Sequence, residues 1–247
     1  MHITNVTLHP EDFPTREKYP FNLPIFHQTR ELIFTTPVTV LIGENGTGKS
    51  TLLEAIAHRC GITIWRGPSR GRFERNPYEE DFFRHIRVEW ADGMVPGSFF
   101  GSSVFQSFAQ ILDEWAASDP AILDLFGGRS LMTQSHGQSI LSFFRSRYRL
   151  RGLYLLDEPE TALSPKNQIR LLEILTSMGS AGHAQFIVAT HSPILLACPE
   201  ASIFSFDHVP IRRVSYEETD IYRVYKGFME DRHRYMKNPG SAAGDGQ

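Results

Sequence analysis

The residues best suited to chemistry lie in VLIGENGTGKST, residues 40–51. An apolar run is followed there by three glycines, a lysine and two hydroxyl side chains, spaced as in the phosphate-binding pattern G-x-x-x-x-G-K-[ST]. Backbone amides of such a loop surround phosphate oxygens, helped by the dipole of the following helix. We expect Lys49 to reach the β- and γ-phosphates and the Ser50 hydroxyl to bind Mg²⁺. The predicted nucleotide-binding residues of the loop are Gly43, Glu44, Asn45, Gly46, Thr47, Gly48, Lys49, Ser50 and Thr51.

The segments on either side of this loop fit that chemistry. Residues 38–42 are mostly β-branched or apolar and predict a buried strand, whereas residues 51–58 favour a helix. The loop therefore joins a strand to the start of a helix, as a phosphate-binding loop must. A glycine-rich turn that binds nothing is the alternative, and these flanks disfavour it.

Two adjacent carboxylates follow a second apolar run, in RGLYLLDEPETALSP at residues 151–165. Open α/β sheets place their ligands at the carboxyl ends of the strands. We therefore expect Asp157 to hold Mg²⁺ through water and Glu158 to polarise the attacking water, because phosphoryl transfer needs a metal and a positioned nucleophile. A surface acidic pair in a turn is the alternative, which the phosphate-binding loop disfavours.

A histidine comes just after a third apolar run, in QFIVATHSP at residues 185–193. A lone histidine more often has a structural hydrogen-bonding role. His191, however, follows a strand that should neighbour the Asp157 strand, and that position suits a sensor of the γ-phosphate.

A helix start is predicted near residue 135, where Ser135 and Gln138 have the spacing of a capping box. Such a start can simply begin a helix, or it can bind a further phosphate. Local spacing does not separate these two interpretations.

Composition narrows the class of protein. The chain has 247 residues, is 41% hydrophobic and has a formal net charge of −3, so it can bury a core and is not a basic nucleic-acid binder overall. Its cysteines, Cys60 and Cys198, have no metal-binding spacing. With no long apolar run and no signal-peptide pattern, we expect a cytoplasmic protein that does not insert into membranes. The small, polar residues 238–247 predict a disordered tail.

In their order along the chain, these stretches resemble the motifs of the ABC-type ATPases. GENGTGKST resembles their Walker A motif, QSHGQS their signature, LYLLDEPETAL their Walker B motif and VATHS their histidine switch loop. The resemblance implies ATP and Mg²⁺ as ligands and a homodimer that forms head to tail around two ATP molecules. It also implies that Ser135, Gly137 and Gln138 contact the γ-phosphate of the partner subunit, whereas His191 acts within its own subunit. Gln106 is the candidate for the metal-binding glutamine of this family.

The same resemblance implies an α/β P-loop NTPase fold. We expect an ABC-ATPase-like head with a mostly parallel central sheet, an antiparallel β subdomain and a small helical signature subdomain. One head would span residues 1–237, with the helical lobe inserted at about residues 66–150.

The sequence departs from the family pattern at two positions. His136 replaces the first glycine of the signature, and Ser164 replaces an aspartate that makes a contact across the dimer in the family. The aromatic residue that stacks on adenine is left open among Phe13, Tyr19, Phe21 and Phe26, each of which can equally belong to the core.

Several functions stay open at this point. The motifs resemble SMC-like heads and small standalone ATPases of bacteria, but residues 51–134 lack sustained heptads, so we expect a compact head without a coiled coil. The favoured function is an ATPase whose dimerisation gates a protein effector, in DNA repair or phage defence. The alternatives are the nucleotide-binding subunit of an ABC transporter and, less favoured, a P-loop kinase acting on a small molecule.

Four arginines, Arg66, Arg70, Arg72 and Arg75, leave a nucleic-acid contact open. The acidic run at residues 79–81 disfavours that contact, and a solvated surface is the favoured interpretation. A strand and an amphipathic helix predicted at the C-terminus could cover the sheet edge or bind a partner.

Overall fold

A computed structural model describes residues 1–65, 76, 78, 80–126, 128, 130, 132 and 136–236. The strands are β1 (Ile3–Leu8), β2 (Glu31–Ile33), β3 (Val38–Ile42), β4 (Ile86–Trp90), β5 (Gly97–Gly101), β6 (Gly152–Asp157), β7 (Ala184–Ala189), β8 (Ser202–Ser205) and β9 (Arg212–Val214). The helices are α1 (Pro24–Gln28), α2 (Lys49–Arg59), α3 (Ser102–Ser118), α4 (His136–Arg147), α5 (Pro165–Ser180), α6 (Pro193–Leu196), α7 (Asp220–Glu230) and α8 (Arg232–Met236).

The larger sheet has six strands in the order β5-β6-β7-β3-β8-β9. All its neighbouring strands are parallel except the last pair, β8 and β9. The predicted runs at residues 38–42, 153–156 and 186–189 form β3, β6 and β7, and every residue of β3 and β7 is buried. This is the near-continuous apolar pattern of strands covered on both faces. The prediction of an α/β fold with a mostly parallel central sheet is confirmed.

The smaller sheet is antiparallel, with the order β2-β1-β4, as predicted for the antiparallel subdomain. The buried side chain of Gln185 joins it to the larger sheet. Its Oε1 accepts hydrogen bonds from the backbone N–H groups of His2 and Ile3 at 2.7 and 2.8 Å, and its Nε2 donates to the Ile3 carbonyl at 3.0 Å. Because every one of these polar groups is paired, the contact holds β1 against the end of β7 at little desolvation cost.

Alternate side chains of β6 fill two separate apolar layers. Leu153 and Leu155 point into the layer that contains α2, whereas Tyr154 and Leu156 point into the layer that contains α4 and α5. Truncating a buried leucine of this kind to alanine costs about 2–5 kcal/mol. Strand β6 is therefore packed on both faces, which fixes the position of its carboxyl end.

Some element bounds differ from the predicted ones. Helix α2 begins at Lys49, before the predicted start at residue 51, because the last residues of the phosphate-binding loop already have helical hydrogen bonds, such as that from Leu52 N to Gly48 O. Helix α5 starts at Pro165 as predicted and ends at Ser180, one residue past the predicted end at Gly179. Among the described residues, no helix is long and apolar enough to cross a membrane.

Candidate functional site

The phosphate-binding loop has a backbone path that requires glycine at two positions. Gly43 and Gly48 have φ angles of +144° and +102°, which residues other than glycine rarely adopt. A Cβ atom at Gly48 would lie 2.7 Å from Cζ of Phe26, and one at Gly43 would lie 2.9 Å from Cβ of Phe206. The loop is therefore fixed by close packing on the core, and its amides are held in place for a ligand.

The side chain of Lys49 folds back over this loop. Its Nζ donates to the carbonyl oxygens of Gly43 and Glu44 at 2.6 and 2.8 Å, and only 4% of the residue is exposed. Burial lowers the pKa of Lys49, and the nearby carboxylates, Glu158 foremost, oppose that shift. Two of the three ammonium donors are used by these carbonyls, and an anionic ligand would attract the group because it is poorly solvated.

The Ser50 hydroxyl donates a hydrogen bond of 2.9 Å to Oδ1 of Asp157, which is the last residue of β6. Burial raises the pKa of Asp157 to about 6; Glu158 and Glu54 act in the same direction, while Ser50 and Lys49 oppose the rise. A hydroxyl and a carboxylate side by side are hard oxygen ligands, which fit Mg²⁺. Within the described residues, no group of three or more His, Cys, Asp or Glu side chains could hold a metal. The donor set thus fits Mg²⁺ shared with phosphate oxygens, the usual arrangement for this ion.

Glu158 has an unusual backbone conformation at the carboxyl end of β6. Its φ of +45° is uncommon for a residue with a side chain, and its N–H donates to Ala189 O of β7 at 2.9 Å. Such a conformation costs about 1–3 kcal/mol and persists where the surroundings enforce it, often at functional sites. Its side chain lines one cavity together with Tyr19, Asn45, Gly46, Gly48, Lys49, Ser50 and Thr51. We call this the Lys49 cavity.

His191 lies beside Glu158, with its Nε2 3.8 Å from the Glu158 Oε1. Within the described part of the chain, this buried Nε2 has no hydrogen-bond partner. Buried polar atoms without a partner are uncommon, and this one lies next to Glu158, which lines the Lys49 cavity.

Two further contacts hold the backbone at His191. Oε1 of Glu160 accepts a hydrogen bond from the His191 N–H at 2.6 Å. The Ser192 hydroxyl caps α6 and donates to Oε1 of Gln168 on α5 at 2.7 Å. The sequence analysis did not predict this role of Glu160. The only indication in the sequence was that Glu160 is a third carboxylate close after Asp157 and Glu158.

The sequence analysis also did not predict a role for Asp207 at the phosphate-binding loop. Its Oδ1 accepts a hydrogen bond of 2.8 Å from the Glu44 N–H, so it fixes the loop from the end of β8. No sequence motif marks this residue, because its position depends on β8 lying beside β3 in the sheet.

The described residues of the predicted signature, Gly137 and Gln138, do not line the Lys49 cavity. Ser135 lies outside the described residues, and Gly137 and Gln138 are in the first turn of α4. A Cβ atom at Gly137 would lie 2.8 Å from Nδ2 of Asn167, the end of a side chain, and 3.8 Å from the backbone oxygen of Ala162.

The four aromatic candidates for adenine stacking differ in their burial and in whether they line the Lys49 cavity. Phe21 and Phe26 are fully buried in the core, and Phe13 packs edge-on against Phe82. Tyr19 is exposed, lines the Lys49 cavity and shares a hydrogen bond with the Thr51 hydroxyl.

Most of the remaining sequence predictions concern residues or side chains that lie outside the described part of the chain. Gln106 lies on α3, but its side chain lies outside what is described, as do Arg66, Arg70, Arg72, Arg75 and the tail at 238–247. Ser164 precedes α5 and makes no side-chain capping bond.

Comparison with known proteins supports the same class of fold. The family described as "AAA domain, putative AbiEii toxin, Type IV TA system" matches residues 130–197, and the family described as "AAA domain" matches residues 22–81. A curated relative, "Thiamine import ATP-binding protein ThiQ" of Ruegeria sp. (strain TM1040), is 28% identical over 171 residues, covering 62% of this chain and 70% of the relative.

Two solved structures have a similar fold at low sequence identity. "Crystal structure of the SmcHead bound to the C-winged helix domain of ScpA" has a TM-score of 0.53 at 13% identity, covering 88% of this chain and 99% of that one. "SMC head domain from Thermotoga maritima" has a TM-score of 0.50 at 17% identity, covering 87% of this chain and 100% of that one. These likenesses concern the fold.

Proposed function

We propose that the chain binds Mg²⁺–ATP at the Lys49 cavity and hydrolyses it to ADP and phosphate, as a P-loop NTPase of the ABC/SMC-like type would. Two AAA-domain family models, each matching part of the chain, support this proposal. The observation that carries this proposal is the contact of Ser50 with Asp157 beside Lys49 and Glu158. Two of these side chains come from the phosphate-binding loop and two from the end of β6. They meet at the carboxyl edge of one sheet. That combination supplies the charge and the ligand oxygens which phosphoryl transfer requires.

Each side chain has a role in this proposal that follows from its position. Lys49 exchanges its bonds with the Gly43 and Glu44 carbonyls for bonds with the β- and γ-phosphates. Ser50 and Asp157 would hold Mg²⁺, and the ion would neutralise charge on the phosphates. Tyr19, exposed at the rim of the cavity, is placed to contact the nucleoside part of ATP.

Glu158 and His191 act on the nucleophile and the γ-phosphate. The Glu158 carboxylate accepts a hydrogen bond from the attacking water and orients it, a general-base role that typically contributes 10²- to 10⁴-fold in rate. His191, whose Nε2 is buried and unpaired within the described residues, donates from that nitrogen to the γ-phosphate in the corresponding tautomer. Glu160 is a positioning residue, because it holds the backbone of His191 rather than touching the nucleotide.

We further propose that two copies of the chain close around two ATP molecules. Ser135, Gly137 and Gln138 of one copy would contact the γ-phosphate held by Lys49 of the other. The exposure of Gln138, and the fact that neither Gly137 nor Gln138 lines the Lys49 cavity of its own chain, support contact across subunits. Dimerisation would gate a protein effector in the cytoplasm, in DNA repair or phage defence.

The second candidate function is the nucleotide-binding subunit of an ABC transporter. It is favoured by one observation, the 28% identity to a relative named as a thiamine import ATP-binding protein. A permease gene beside this one and co-purification with that permease would support this candidate against a standalone ATPase.

The proposed ATPase activity is tested by two substitutions. In calorimetry with Mg²⁺–ATP, Lys49→Ala should lose most of the binding because it removes the charge facing the phosphates. In a phosphate-release assay, Glu158→Gln should bind ATP as the wild type does yet hydrolyse it about 10²- to 10⁴-fold more slowly. Unchanged affinity in the first variant, or unchanged turnover in the second, would overturn the assignment.

A further inference from the structure

A second cavity, of ≈480 Å³, lies between the end of α2, strand β5 and helices α3 and α4. It shares none of its lining residues with the Lys49 cavity. Its volume is in the range of about 300–1,000 Å³ that is usual for small-molecule sites. Its apolar walls are mainly aromatic and include Trp65, Phe99, Phe105, Phe108, Trp115 and Phe143.

Besides the exposed Thr63, two polar residues line this aromatic cavity. One is Arg147, at the last turn of α4, which donates from Nη2 to the Gly97 carbonyl at 3.2 Å. In the described part of the chain, no carboxylate forms an ion pair with Arg147. The other is Ser98 on β5, whose buried hydroxyl lacks a hydrogen-bond partner within the described residues.

The chemistry of these walls selects a class of ligand. Aromatic side chains favour flat apolar molecules through offset and edge contacts. A guanidinium group has five donors, and it binds a carboxylate or a similar anion through two parallel hydrogen bonds. A buried hydroxyl without a partner is a further group that a ligand can satisfy. We propose that this cavity binds a small, flat, largely apolar molecule that carries one anionic group, with the anion at Arg147 and a polar atom at Ser98.

The elements that line this cavity also extend to the proposed nucleotide site. Helix α2 begins at Lys49 and ends next to Cys60, which lines the second cavity. Strand β5 ends at Gly101, which pairs with Asp157. Helix α4 begins at the predicted signature and ends at Arg147. A ligand bound among these ends should therefore alter the affinity for ATP, and ATP should alter the affinity for the ligand by the same factor. The ligand site stands without the proposed ATPase function, whereas this coupling rests on it.

The test uses two fluorescent probes with one ring system, 8-anilinonaphthalene-1-sulfonate and the uncharged N-phenyl-1-naphthylamine. Both should bind the folded full-length protein with a fluorescence increase. Arg147→Met should weaken the sulfonate probe about tenfold, the effect of one charge-assisted contact, and leave the uncharged probe within about twofold. Arg147→Lys, which keeps the charge, should retain most of the sulfonate affinity.

Two controls locate the probes. Val104→Phe, which adds bulk to the cavity wall, should weaken both probes, whereas Lys49→Ala should change neither. Circular dichroism and the urea midpoint confirm that each variant is folded. Failure of both probes to bind, no effect of Val104→Phe, or equal weakening of the two probes by Arg147→Met would overturn the proposed site. A sulfonate-probe affinity that is identical with and without saturating Mg²⁺–ATP would overturn the coupling and leave the site standing.

Discussion

Replacing Asp157 with asparagine should make the nucleotide-free protein more stable at neutral pH. The carboxylate is largely buried at the end of β6, and two other carboxylates, Glu158 and Glu54, lie near enough to raise its pKa further. The amide of asparagine has a similar shape and an oxygen that can still accept the Ser50 hydrogen bond. The substitution thus removes a poorly solvated charge without opening a cavity.

The size of the effect follows from the pKa of Asp157, which rises from 3.8 to about 6. At about 1.4 kcal/mol per unit, ionising this group costs the folded state about 3 kcal/mol of stability once the pH is well above 6. For an acid whose pKa is raised on folding, this cost is absent below the unfolded pKa, grows between the unfolded and the folded pKa, and is constant above the folded pKa. The gain from Asp157→Asn should be about 3 kcal/mol at pH 7.5 and about half of that at pH 5.

Urea unfolding followed by tryptophan fluorescence measures this gain at both pH values. Ser50→Ala is the matched control, because it removes the bond that stabilises the Asp157 carboxylate and should lower stability at pH 7.5. If Asp157→Asn is no more stable than the wild type at pH 7.5, or gains equally at pH 5 and 7.5, the assigned cost of burying this charge is wrong.

The other predictions concern two segments near the Lys49 cavity, the contact between Glu160 and His191 and the phosphate-binding loop. Glu160→Ala should lower turnover about tenfold or more with little change in ATP affinity, because the His191 backbone loses a charged acceptor, whereas Glu160→Gln should keep most of the activity. Equal losses in both variants, or a loss of ATP binding, would contradict the positioning role. Gly48→Ala should destabilise the fold by about 3 kcal/mol, through its positive φ and its contact with Phe26. Gly46→Ala, which has a positive φ but open space, should cost only about 1 kcal/mol. Similar urea midpoints for these two variants would contradict the packing argument.

Much of the fold follows from short stretches of sequence. The apolar runs that become β3, β6 and β7 are long enough to predict buried strands, and those of β3 and β7 also contain β-branched residues. The glycine spacing fixes the turn between β3 and α2. The mostly parallel α/β fold is confirmed because these local signals agree with the way the strands pack. Pairing of β1 with β4 was not predictable, because it joins segments about 80 residues apart with no matching pattern in either.

The candidate site shows where such reasoning stops. Glu160 and Asp207 contact backbone groups far away in the sequence, and their roles depend on which strands are neighbours. Phe26 and Tyr19 both have an aromatic ring that could stack on adenine, but tertiary packing buries Phe26 against Gly48 and leaves Tyr19 exposed at the Lys49 cavity. The roles predicted for Gly137 and Gln138 depend on a second copy of the chain and stay predictions.

The most direct test of the account is the mass of the Glu158→Gln variant in light scattering with saturating Mg²⁺–ATP. If ATP joins two copies, this variant should shift from a monomer of 28.1 kDa toward twice that mass with ATP and not with ADP. Adding Ser135→Arg should prevent the shift while each subunit still binds ATP, because the larger side chain crowds the γ-phosphate of the partner. A variant that stays monomeric at saturating ATP, or dimerises equally well with the Ser135 substitution, would contradict head-to-tail closure around ATP.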